Sequence, residues 1–369
     1  MRRPLRFCTV LGTRPEAIKL GPVIRCLGGR PEVRQRVLVT GQHDTLLQPM
    51  LELFSVPVSK NLMVMEVGQR LGAVTARILA GVEADLVENS PDWVIVQGDT
   101  ATAFAAALAG FYLRIPVAHV EAGLRTNNID NPFPEEANRR FITGLSQLHF
   151  APTEQARQNL IRERVAPESI HVTGNTGIDA LLEIAGREPD GERSRTGGNA
   201  GRLILVTAHR RETFGAGLLG VCAALRTLAY RNPDVHIVYA LHPNPNVNQP
   251  VRRELTGVPR IELVEALDYV SFVSMMKRSF LILTDSGGIQ EEAPSLHKPV
   301  LVLRDHSERI EALAAGTARL VGTSPDRIVS ETEWLLRDPT AWAAMTQADN
   351  PYGDGHAAER IVSVLLGKG

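Results

Sequence analysis

Short apolar runs alternate with longer amphipathic segments along almost the whole chain of 369 residues. Turn-forming residues bound each apolar run, which is the pattern of parallel strands joined by crossover helices. We predict strands at Leu5–Leu11, Arg36–Thr40, Trp93–Gln97, Pro116–Val120, Leu148–Ala151, Ile170–Thr173, Arg202–Thr207, His236–Ala240, Ile261–Val264, Phe280–Thr284, Val300–Leu303 and Arg319–Val321. The sequence therefore predicts an α/β fold with two doubly wound parallel sheets in tandem.

Residues 186–201 separate the two sets of strands and contain almost no apolar side chain. This polar, glycine-rich stretch predicts a surface loop or an interdomain connection. Turn formers at Asn350–Gly355 would let a final helix, His356–Leu366, return to the first domain. We predict an N-terminal Rossmann-like domain over residues 1–178, a second one over 179–354, and a C-terminal segment 355–369 that packs on the first.

The formal net charge of −1 gives no electrostatic reason to expect nucleic acid or an anionic membrane as a partner. The cysteines, Cys8, Cys26 and Cys222, lie far apart in apolar contexts, which predicts buried thiols in a reducing compartment. The apolar run after the basic N-terminal residues is too short for a signal peptide, and no stretch approaches the ~18 apolar residues of a membrane span. We predict a cytoplasmic protein that binds neither nucleic acid nor membranes.

In the second half, a buried-strand run at Phe280–Thr284 stops at Ser286, Gly287 and Gly288 and opens a helix. The two glycines would let backbone N–H groups approach a phosphate, since unpaired amides and the dipole at a helix N-terminus favour negative charge. Glu292, one turn further along, could accept both hydroxyls of a ribose. We predict a phosphate site with a ribose clamp behind it.

A second strand-to-helix turn follows the first strand and carries two cations, Arg14 and Lys19. We predict that this turn also faces an anion, because it has the strand, turn and helix context that such sites require. The alternative for either turn is an ordinary connection without a ligand.

Three acids of the first half, Asp99, Glu121 and Glu135, follow strands or loops where no core face is expected. Asp99 could cap the helix that begins near Thr100, a role compatible with acid/base chemistry, and Glu121 could be a solvated acid at a strand end. Glu135, beside Glu136, could simply favour the dipole of the helix that it opens. Together the three acids are candidates for a base and an acid on two faces of a sugar ring.

Four further residues are candidates for ligand contacts. His209 follows the first strand of the second half beside two arginines, which favours a phosphate contact over a buried histidine bonded to backbone. His242 has a similar but less specific context, and Arg309 follows a strand from which it could reach a phosphate. Phe272 has helical core spacing, so packing is expected first and stacking on a base second.

The sequence predicts no metal and no nicotinamide cofactor. It contains no HExxH motif and no paired Cys-x-x-Cys, and its ten histidines lack ligand spacing. The first strand ends in Gly-Thr-Arg-Pro and not in the Gly-x-Gly-x-x-Gly of dinucleotide-binding proteins.

Six ordered motifs carry a family resemblance: Gly12–Lys19, Gln97–Thr100, His119–Thr126, Pro134–Arg139, Thr207–Glu212 and Thr284–Ser295. Through them the chain resembles a non-hydrolysing UDP-N-acetylglucosamine 2-epimerase from end to end. The resemblance implies the GT-B fold, with the active site in the cleft between two Rossmann-like domains. It also implies a homodimer that interconverts UDP-N-acetylglucosamine and UDP-N-acetylmannosamine for surface polysaccharide synthesis.

The resemblance also implies residue roles, although it leaves open which acid acts on which face of C2. In the family, the C2 proton is removed as UDP leaves C1, and a proton returns to the other face of 2-acetamidoglucal as UDP adds back. The residues at the family's catalytic positions, three acid/base candidates and a histidine on the departing phosphate, are Asp99, Glu121, Glu135 and His209. The residues at its cleft, uracil, phosphate and ribose positions are Arg14 and Lys19 (cleft), Phe272 (uracil), Ser286, Gly287, Gly288 and Arg309 (phosphates), and Glu292 (ribose).

Some positions depart from the family pattern. Ile310 stands where a proline commonly follows a Glu-Arg pair, which puts the conformation of that loop in question. Gln42 and His242 fit a regulatory pocket in which some bacterial members bind a second UDP-N-acetylglucosamine. Thr45 and Gly68 stand there in place of a longer polar residue and a basic one, so substrate activation is a hypothesis.

Four other functions remain open at this point. A GT-B glycosyltransferase would share the fold and the diphosphate site but need an acceptor, and the carboxylate cluster argues against it. An epimerase of a modified UDP-sugar, such as a 2,3-diacetamido uronic acid, would use the same mechanism. A hydrolysing epimerase would release free N-acetylmannosamine, and a nucleotide-sugar sensor would have no need of the three acids and His209.

Overall fold

The computed structural model describes residues 3–41, 44–66, 68–187 and 201–367. Contacts divide the chain into two compact units, residues 1–180 with 352–369, and residues 181–351. The boundaries predicted from sequence, after residues 178 and 354, differ from these by two or three residues. Most of the predicted connection at 186–201 lies outside the described residues.

The described part of the first unit holds a parallel sheet. Its strands are β1 Leu5–Leu11, β2 Val33–Val39, β3 Lys60–Asn61, β4 Trp93–Gln97, β5 Val117–Val120, β6 Leu148–Ala151 and β7 Ile170–Val172. Their order is β3-β2-β1-β4-β5-β6-β7, so the direction of winding reverses between β1 and β4. In such sheets ligands bind outside the carboxyl ends of the strands at this reversal. The loops after β1 and β4 therefore occupy the expected place for a site.

Helices connect these strands. They are α1 Arg14–Gly28, α2 Asp44–Leu53, α3 Leu71–Asn89, α4 Ala101–Tyr112, α5 Glu135–Leu145, α6 Glu154–Arg162 and α7 Thr176–Arg187. Helix α4 is rich in alanine, and Ala103, Ala106 and Ala107 are fully buried. Such small side chains let α4 pack closely in the core beside the strands whose ends carry the candidate acids.

The second unit repeats the plan. Its strands are β8 Arg202–Thr207, β9 Val235–Ala240, β10 Ile261–Val264, β11 Leu281–Thr284, β12 Val300–Val302 and β13 Ala318–Leu320, in the order β10-β9-β8-β11-β12-β13. Its helices are α8 Ala216–Arg231, α9 Pro245–Leu255, α10 Tyr269–Arg278, α11 Gly287–Glu292, α12 Ile310–Ala314, α13 Pro325–Arg337 and α14 Pro339–Gln347. The reversal lies between β8 and β11, whose following loops carry His209 and Ser286.

The last helix, α15 Ala357–Leu365, belongs to the first unit. Its first turn is capped by Asp179, whose carboxylate accepts the N–H groups of Ala357 at 3.2 Å and Ala358 at 2.8 Å. The N–H of Asn175 donates to the carbonyl of Tyr352 at 2.7 Å just before it. Buried polar groups need such partners, so these bonds tie the chain's end to α7.

The predicted fold class, two doubly wound parallel sheets, is confirmed, and each of the twelve predicted strands overlaps an observed one. The sequence missed β3, which has two exposed residues and no apolar side chain. The prediction for β2 began three residues late, because Arg34 and Gln35 lack the apolar signal of its buried half. Within the described ranges, no helix is both long and apolar enough to cross a membrane.

Candidate active site

The turn after β1 is organised by a buried carboxylate, Glu16. Its Oε2 accepts the N–H groups of Gly12 at 2.9 Å and Thr13 at 2.7 Å, and its Oε1 accepts the hydroxyl of Thr100 at 2.6 Å. The residue is fully buried, and this burial raises the pKa of the carboxyl in spite of the three hydrogen bonds. The N–H groups of Gly12 and Thr13 are therefore bound by the chain itself. The prediction that this turn faces an anion now depends on its two cations, Arg14 and Lys19.

The cations of α1 have different surroundings. Arg14 is exposed at the first position of the helix. Lys19 lies one turn further in, and its Nζ donates to Oε1 of Glu121 at 2.5 Å. The structure thus brings Lys19 together with one of the three predicted acids, whereas Arg14 forms no hydrogen bond or ion pair with any of these three described residues.

Glu121 stands directly after β5 in the left-handed backbone region, with φ of 63°. Its side chain is 9% exposed, and Nε2 of Gln97, the last residue of β4, donates to its Oε2. Both carboxylate oxygens therefore have a donor, one charged and one neutral. These two donors and the low exposure of the side chain favour a paired acid over the solvated acid that the sequence left as an alternative.

Asp99 lies in the neighbouring loop after β4. Its Oδ2 accepts Nε of Arg139 at 2.8 Å and Nη2 at 2.6 Å, while its carbonyl accepts Nδ2 of Asn138 at 2.8 Å. Burial and the nearby charge of Glu121 raise its pKa, and the guanidinium of Arg139 opposes that rise without cancelling it. The capping role considered for Asp99 is wrong, because Thr100 caps α4 and accepts the N–H of Ala103 at 3.0 Å.

The two acids that open α5 differ in their surroundings. Glu135 is half-buried, and no hydrogen bond or ion pair joins it to a described residue. Glu136 is fully buried and accepts the N–H of Thr126 and Nη1 of Arg139, both at 3.1 Å. Burial acts to raise the pKa of Glu136, but these donors hold it below its ordinary value. Glu136 is therefore structural, and Glu135 remains available for a ligand.

In the second unit, the loop after β8 is held by Asp285, which sequence reasoning did not single out. Asp285 is fully buried, and its Oδ2 accepts the N–H groups of His209 and Arg210, both at 2.8 Å, and the hydroxyl of Thr213 at 3.1 Å. No described residue hydrogen-bonds to its Oδ1, which lies 3.5 Å from Nδ1 of His209. The Thr-Asp-Ser-Gly-Gly motif contains this aspartate directly after a strand. Its burial was not predicted, because an Asp before a turn is usually exposed.

The His209 ring is one-third exposed and stacks on His242, with ring centroids 5.0 Å apart and an interplanar angle of 11°. Burial lowers its pKa, Asp285 opposes this effect, and His242 and Arg210 add to it. The lowered pKa favours the neutral form of the imidazole. A diphosphate arriving beside the ring would favour its protonated form.

Two guanidinium groups lie over the start of α11. A Cβ atom at Gly287 would lie 3.3 Å from Nη2 of Arg309 and 3.6 Å from Nη2 of Arg210. Nε of Arg309 donates to Oε1 of Glu291 at 2.5 Å, and its N–H donates to Oγ of Ser307 at 3.0 Å. These bonds hold Arg309 in place although Ile310, which follows it, is exposed and is not a proline.

The other predicted contacts of this unit lie on neighbouring elements. Ser286 is the N-cap of α11, Gly288 is exposed in its first turn, and Glu292 is half-buried at its end. Phe272 on α10 is also half-buried, while Val273 and Met276 supply the buried face of that helix. Phe272 is therefore less buried than the core residues of its helix, and both expectations for it, packing and stacking on a base, stay predictions.

The predicted regulatory pocket is described only in part. Gln42 lies outside the described residues, as does the side chain of Thr45. Gly68 is in the left-handed region with φ of 78°, and a Cβ atom there would meet open space. His242 contacts His209, so any ligand of His242 would also affect the histidine of the candidate site.

Two of the cysteines are poorly suited to act as nucleophiles. Burial raises the pKa of Cys8 and that of Cys222 to about 12. Cys26 is partly exposed, which corrects the prediction of a buried thiol there. Among the residues with described positions, no group of three or more His, Cys, Asp or Glu side chains is arranged to hold a metal ion.

Comparison with known proteins places this geometry in context. A family model described as UDP-N-acetylglucosamine 2-epimerase matches residues 25–366. The UDP-N-acetylglucosamine 2-epimerase of Yersinia pestis is 50% identical over 369 residues, which covers 98% of each chain. A crystal structure of the UDP-GlcNAc 2-epimerase from Neisseria meningitidis bound to UDP-GlcNAc is 44% identical, with a TM-score of 0.89 over 98% of this chain and 100% of that one.

A more distant structure shows the fold alone. The glycotransferase of kitacinnamycin is 14% identical and has a TM-score of 0.67, with all of each chain covered. The architecture of two parallel-sheet domains is therefore that of the GT-B class.

Proposed function

The chain belongs to the UDP-N-acetylglucosamine 2-epimerase family, and from this premise we propose how it inverts C2 of the sugar. As an isomerase of that family it interconverts UDP-N-acetylglucosamine and its C2 epimer, UDP-N-acetylmannosamine. The proposed route is elimination of UDP followed by its addition to the opposite face.

The chemistry requires loss of UDP because the C2–H bond is not activated. No side chain could deprotonate that carbon to a stable carbanion. When a carboxylate takes the proton, the C–H electron pair forms the C1=C2 bond while the C1–O pair leaves on UDP. The products are 2-acetamidoglucal and UDP. Addition of UDP to C1 with delivery of a proton to the other face of C2 completes the epimerisation.

We assign the proton transfers to Asp99, Glu121 and Glu135 in the first unit. The observation that carries this assignment is the pair of clamped carboxylates at the ends of β4 and β5, Glu121 with Lys19 and Asp99 with Arg139. Glu121 accepts on both oxygens, as a carboxylate base does, while the raised pKa of Asp99 suits a proton donor. Differing environments of neighbouring acids commonly separate acid from base.

We assign UDP binding to the second unit. Arg309 lies over Gly287 at the start of α11, where cations and backbone amides favour phosphate oxygens. Ser286 and Gly288 would complete the phosphate contacts, Glu292 would accept the ribose hydroxyls, and Phe272 would stack on uracil. His209 would take up a proton as negative charge develops on the leaving diphosphate, with Asp285 stabilising the imidazolium. Arg14 and Lys19 would contact the substrate from the first unit.

The test is epimerisation in deuterated water without added metal or nicotinamide cofactor. We expect UDP-N-acetylglucosamine to acquire deuterium at C2 as the manno epimer appears in proton NMR spectra. Glu121→Gln should abolish both signals and retain UDP binding, whereas Glu88→Gln, an exposed glutamate of α3, should change neither. Turnover by Glu121→Gln at the wild-type rate would overturn the assignment.

Product analysis in the same reaction separates the other candidate functions. Free N-acetylmannosamine would indicate a hydrolysing epimerase. Absence of exchange with this substrate, but exchange with a 2,3-diacetamido uronic acid derivative, would indicate a modified substrate. Sugar transfer to an added acceptor would indicate a glycosyltransferase.

We also propose that the protein is a homodimer formed through the first unit. Val87, Phe111, Tyr112 and Phe141, on α3, α4 and α5, are each more than half exposed. Beside them lies a groove of about 390 Å³ lined mainly by apolar side chains. Apolar patches of this kind mark interaction surfaces, and a second copy is the expected occupant in this family. Light scattering of Phe141→Asp should show a monomer if this face forms the dimer.

We place the activity in the cytoplasm, because buried, reduced thiols such as Cys8 and Cys222 suit a reducing compartment. Fractionation of the native host with a compartment marker would test this. Activation by a second substrate molecule at Gln42 and His242 remains a hypothesis. Hyperbolic rates with UDP-N-acetylmannosamine alone, unchanged by trace UDP-N-acetylglucosamine, would contradict it.

A further inference from the structure

The orientation of the Glu121 carboxylate depends on a neutral residue, Gln97. Gln97 ends β4 and is 3% exposed, and its Cα pairs with that of Val120 in the β4–β5 register. Its carboxamide donates to Oε2 of Glu121 across the ends of these two strands. Because a carboxylate only accepts hydrogen bonds, the group that faces it must be the amide nitrogen.

The backbone around Glu121 is held on both sides. The N–H of Gly98 donates to the carbonyl of Val120 at 3.0 Å, and that of Ala122 donates to Phe150 at 3.0 Å. Glu121 itself has a positive φ of 63°, a conformation that a glutamate keeps only where its surroundings impose it. The turn thus fixes the direction in which the Glu121 side chain leaves the backbone. The χ angles of that side chain are set by the two groups that bind its oxygens.

The charged and titratable groups around this carboxylate come from four elements. They are Lys19 on α1, Asp99 after β4, Arg139 on α5 and His119 on β5. Arg139 is paired with Asp99, and Nε2 of His119 donates to the carbonyl of Gly98 at 2.7 Å. Burial lowers the pKa of His119 to about 3, so it brings no positive charge. Lys19 is therefore the cation that directly bonds Glu121, and Gln97 is the neutral donor on the other oxygen.

We propose that Gln97 is a positioning residue for the epimerisation, which holds the Glu121 carboxylate in one rotamer without adding charge. This rests on the proposed role of Glu121 as an acid/base group. Gln97 acts through Glu121 and makes no contact with substrate. Without its amide, the carboxylate would be held by Lys19 alone and could rotate about χ3 away from C2. With a second carboxylate in its place, the two acids would share a proton.

Two substitutions separate these effects. Gln97→Leu removes the donor, and we expect kcat to fall about 10- to 100-fold with little change in KM, since a misplaced catalytic group costs up to ~10²-fold. Gln97→Glu places like charges together, which raises the pKa of the pair. The acid limb of the kcat profile should then move to higher pH in the direction in which Glu121 accepts the C2 proton. The basic limb should move up in the reverse direction.

Three comparisons make the experiment decisive. Gln147→Leu removes an exposed glutamine that directly precedes β6 and whose Oε1 accepts the N–H of Val117 at 2.6 Å, and it should leave the pH profile unchanged. The thermal unfolding midpoint should stay near the wild-type value in both Gln97 variants, which reports that the first unit is folded, and UDP affinity should be unchanged because UDP is assigned to the second unit. Wild-type kcat and pH limbs in both would overturn the inference.

Loss of kcat together with a large fall in the thermal unfolding midpoint in both Gln97 variants would also overturn it, because the role would then be structural. The variant Glu121→Gln separates the role of Gln97 from that of Glu121. If it is inactive while Gln97→Leu behaves as wild type, only the role of Gln97 fails. If Glu121→Gln is active, the proposed role of Glu121 itself fails.

Discussion

Each unit of the protein fixes the loop after its first strand with a buried carboxylate that accepts two backbone N–H groups and one threonine hydroxyl. In the first unit this is Glu16, which binds Gly12, Thr13 and Thr100. In the second it is Asp285, which binds His209, Arg210 and Thr213. The two loops therefore use the same device at the same place in the sheet.

The difference lies in the second oxygen of each carboxylate. Both oxygens of Glu16 are occupied, so this acid closes its turn and binds the N–H groups of Gly12 and Thr13. In Asp285 one oxygen takes all three donors, and the other faces the imidazole of His209 at 3.5 Å. One carboxylate thus completes a structural tie, while the other can respond to the charge of a neighbouring histidine. The same carboxylate arrangement therefore fixes a turn in the first unit and places an acceptor beside a histidine in the second.

The largest expected effect would come from breaking the link between Asp285 and His209. An asparagine can still accept the two N–H groups, but it cannot stabilise an imidazolium. We expect Asp285→Asn to lower kcat about 10²- to 10³-fold, since loss of the carboxylate that orients a catalytic histidine can cost ~10⁴-fold. Steady-state kinetics would measure this. Asp234, an exposed residue that forms an ion pair with Arg202, offers a control. Asp234→Asn should keep the wild-type kcat. An active Asp285→Asn would remove the distinction between the two carboxylates.

Removing the structural tie should affect stability next most strongly. Glu16→Ala leaves two buried N–H groups and a hydroxyl without their acceptor. We expect a loss of about 3 kcal/mol in the free energy of unfolding, since each buried unsatisfied group costs about 1–3 kcal/mol and the lost desolvation of the acid offsets part of it. Urea titration of Glu16→Ala and of the exposed control Glu88→Ala would test this. Equal midpoints in the two variants would contradict a structural role for Glu16.

A smaller effect should appear in the pH dependence of stability. The pKa of Glu16 in the folded protein lies above its ordinary value of 4.5, chiefly because of burial. The contribution of protonated Glu16 to the free energy of unfolding is complete below pH 4.5. This contribution is lost as pH rises through the folded pKa. Relative to Glu16→Gln, the wild type should therefore lose stability across that window, with a slope of at most about 1.4 kcal/mol per pH unit. Unfolding titrations from pH 4.5 upward would measure the slope.

The opposite sign is expected for Glu136, whose folded pKa lies below its ordinary value. Its contribution is present above 4.5 and is lost as pH falls through the folded pKa. The free energy of unfolding of Glu136→Gln should therefore approach that of the wild type as pH falls. The same slope in both variants would show that neither acid titrates as the structure indicates.

The smallest expected effect concerns His242, which stacks on His209. A phenylalanine at 242 would keep the stacking but remove a group that lowers the pKa of His209. NMR titration of the His209 imidazole in His242→Phe should show a small rise in its pKa. A fall would mean that the stacked ring stabilises the charged form of His209.

Much of this molecule could be predicted from its sequence, because strand periodicity and short motifs are local signals. The ends of β4, β6, β8 and β10 match the predicted ones. The partners of the acids could not be predicted, since Lys19 and Glu121 are 102 residues apart and meet only when β1 and β5 lie in one sheet. The burial of Glu16 and Asp285 was also missed, because acids are rarely buried. Their carboxylates accept loop N–H groups that a ligand could otherwise bind.

The capping of α15 by Asp179 has a consequence for the order in which the chain can be completed during synthesis. All strands of the second unit leave the ribosome before residues 357 and 358, which supply the two N–H groups bound by Asp179. The second unit can therefore finish its sheet while the first still lacks its last helix and keeps a buried acid unsatisfied. A nascent chain stopped a dozen residues short would carry a finished second half and an unfinished first.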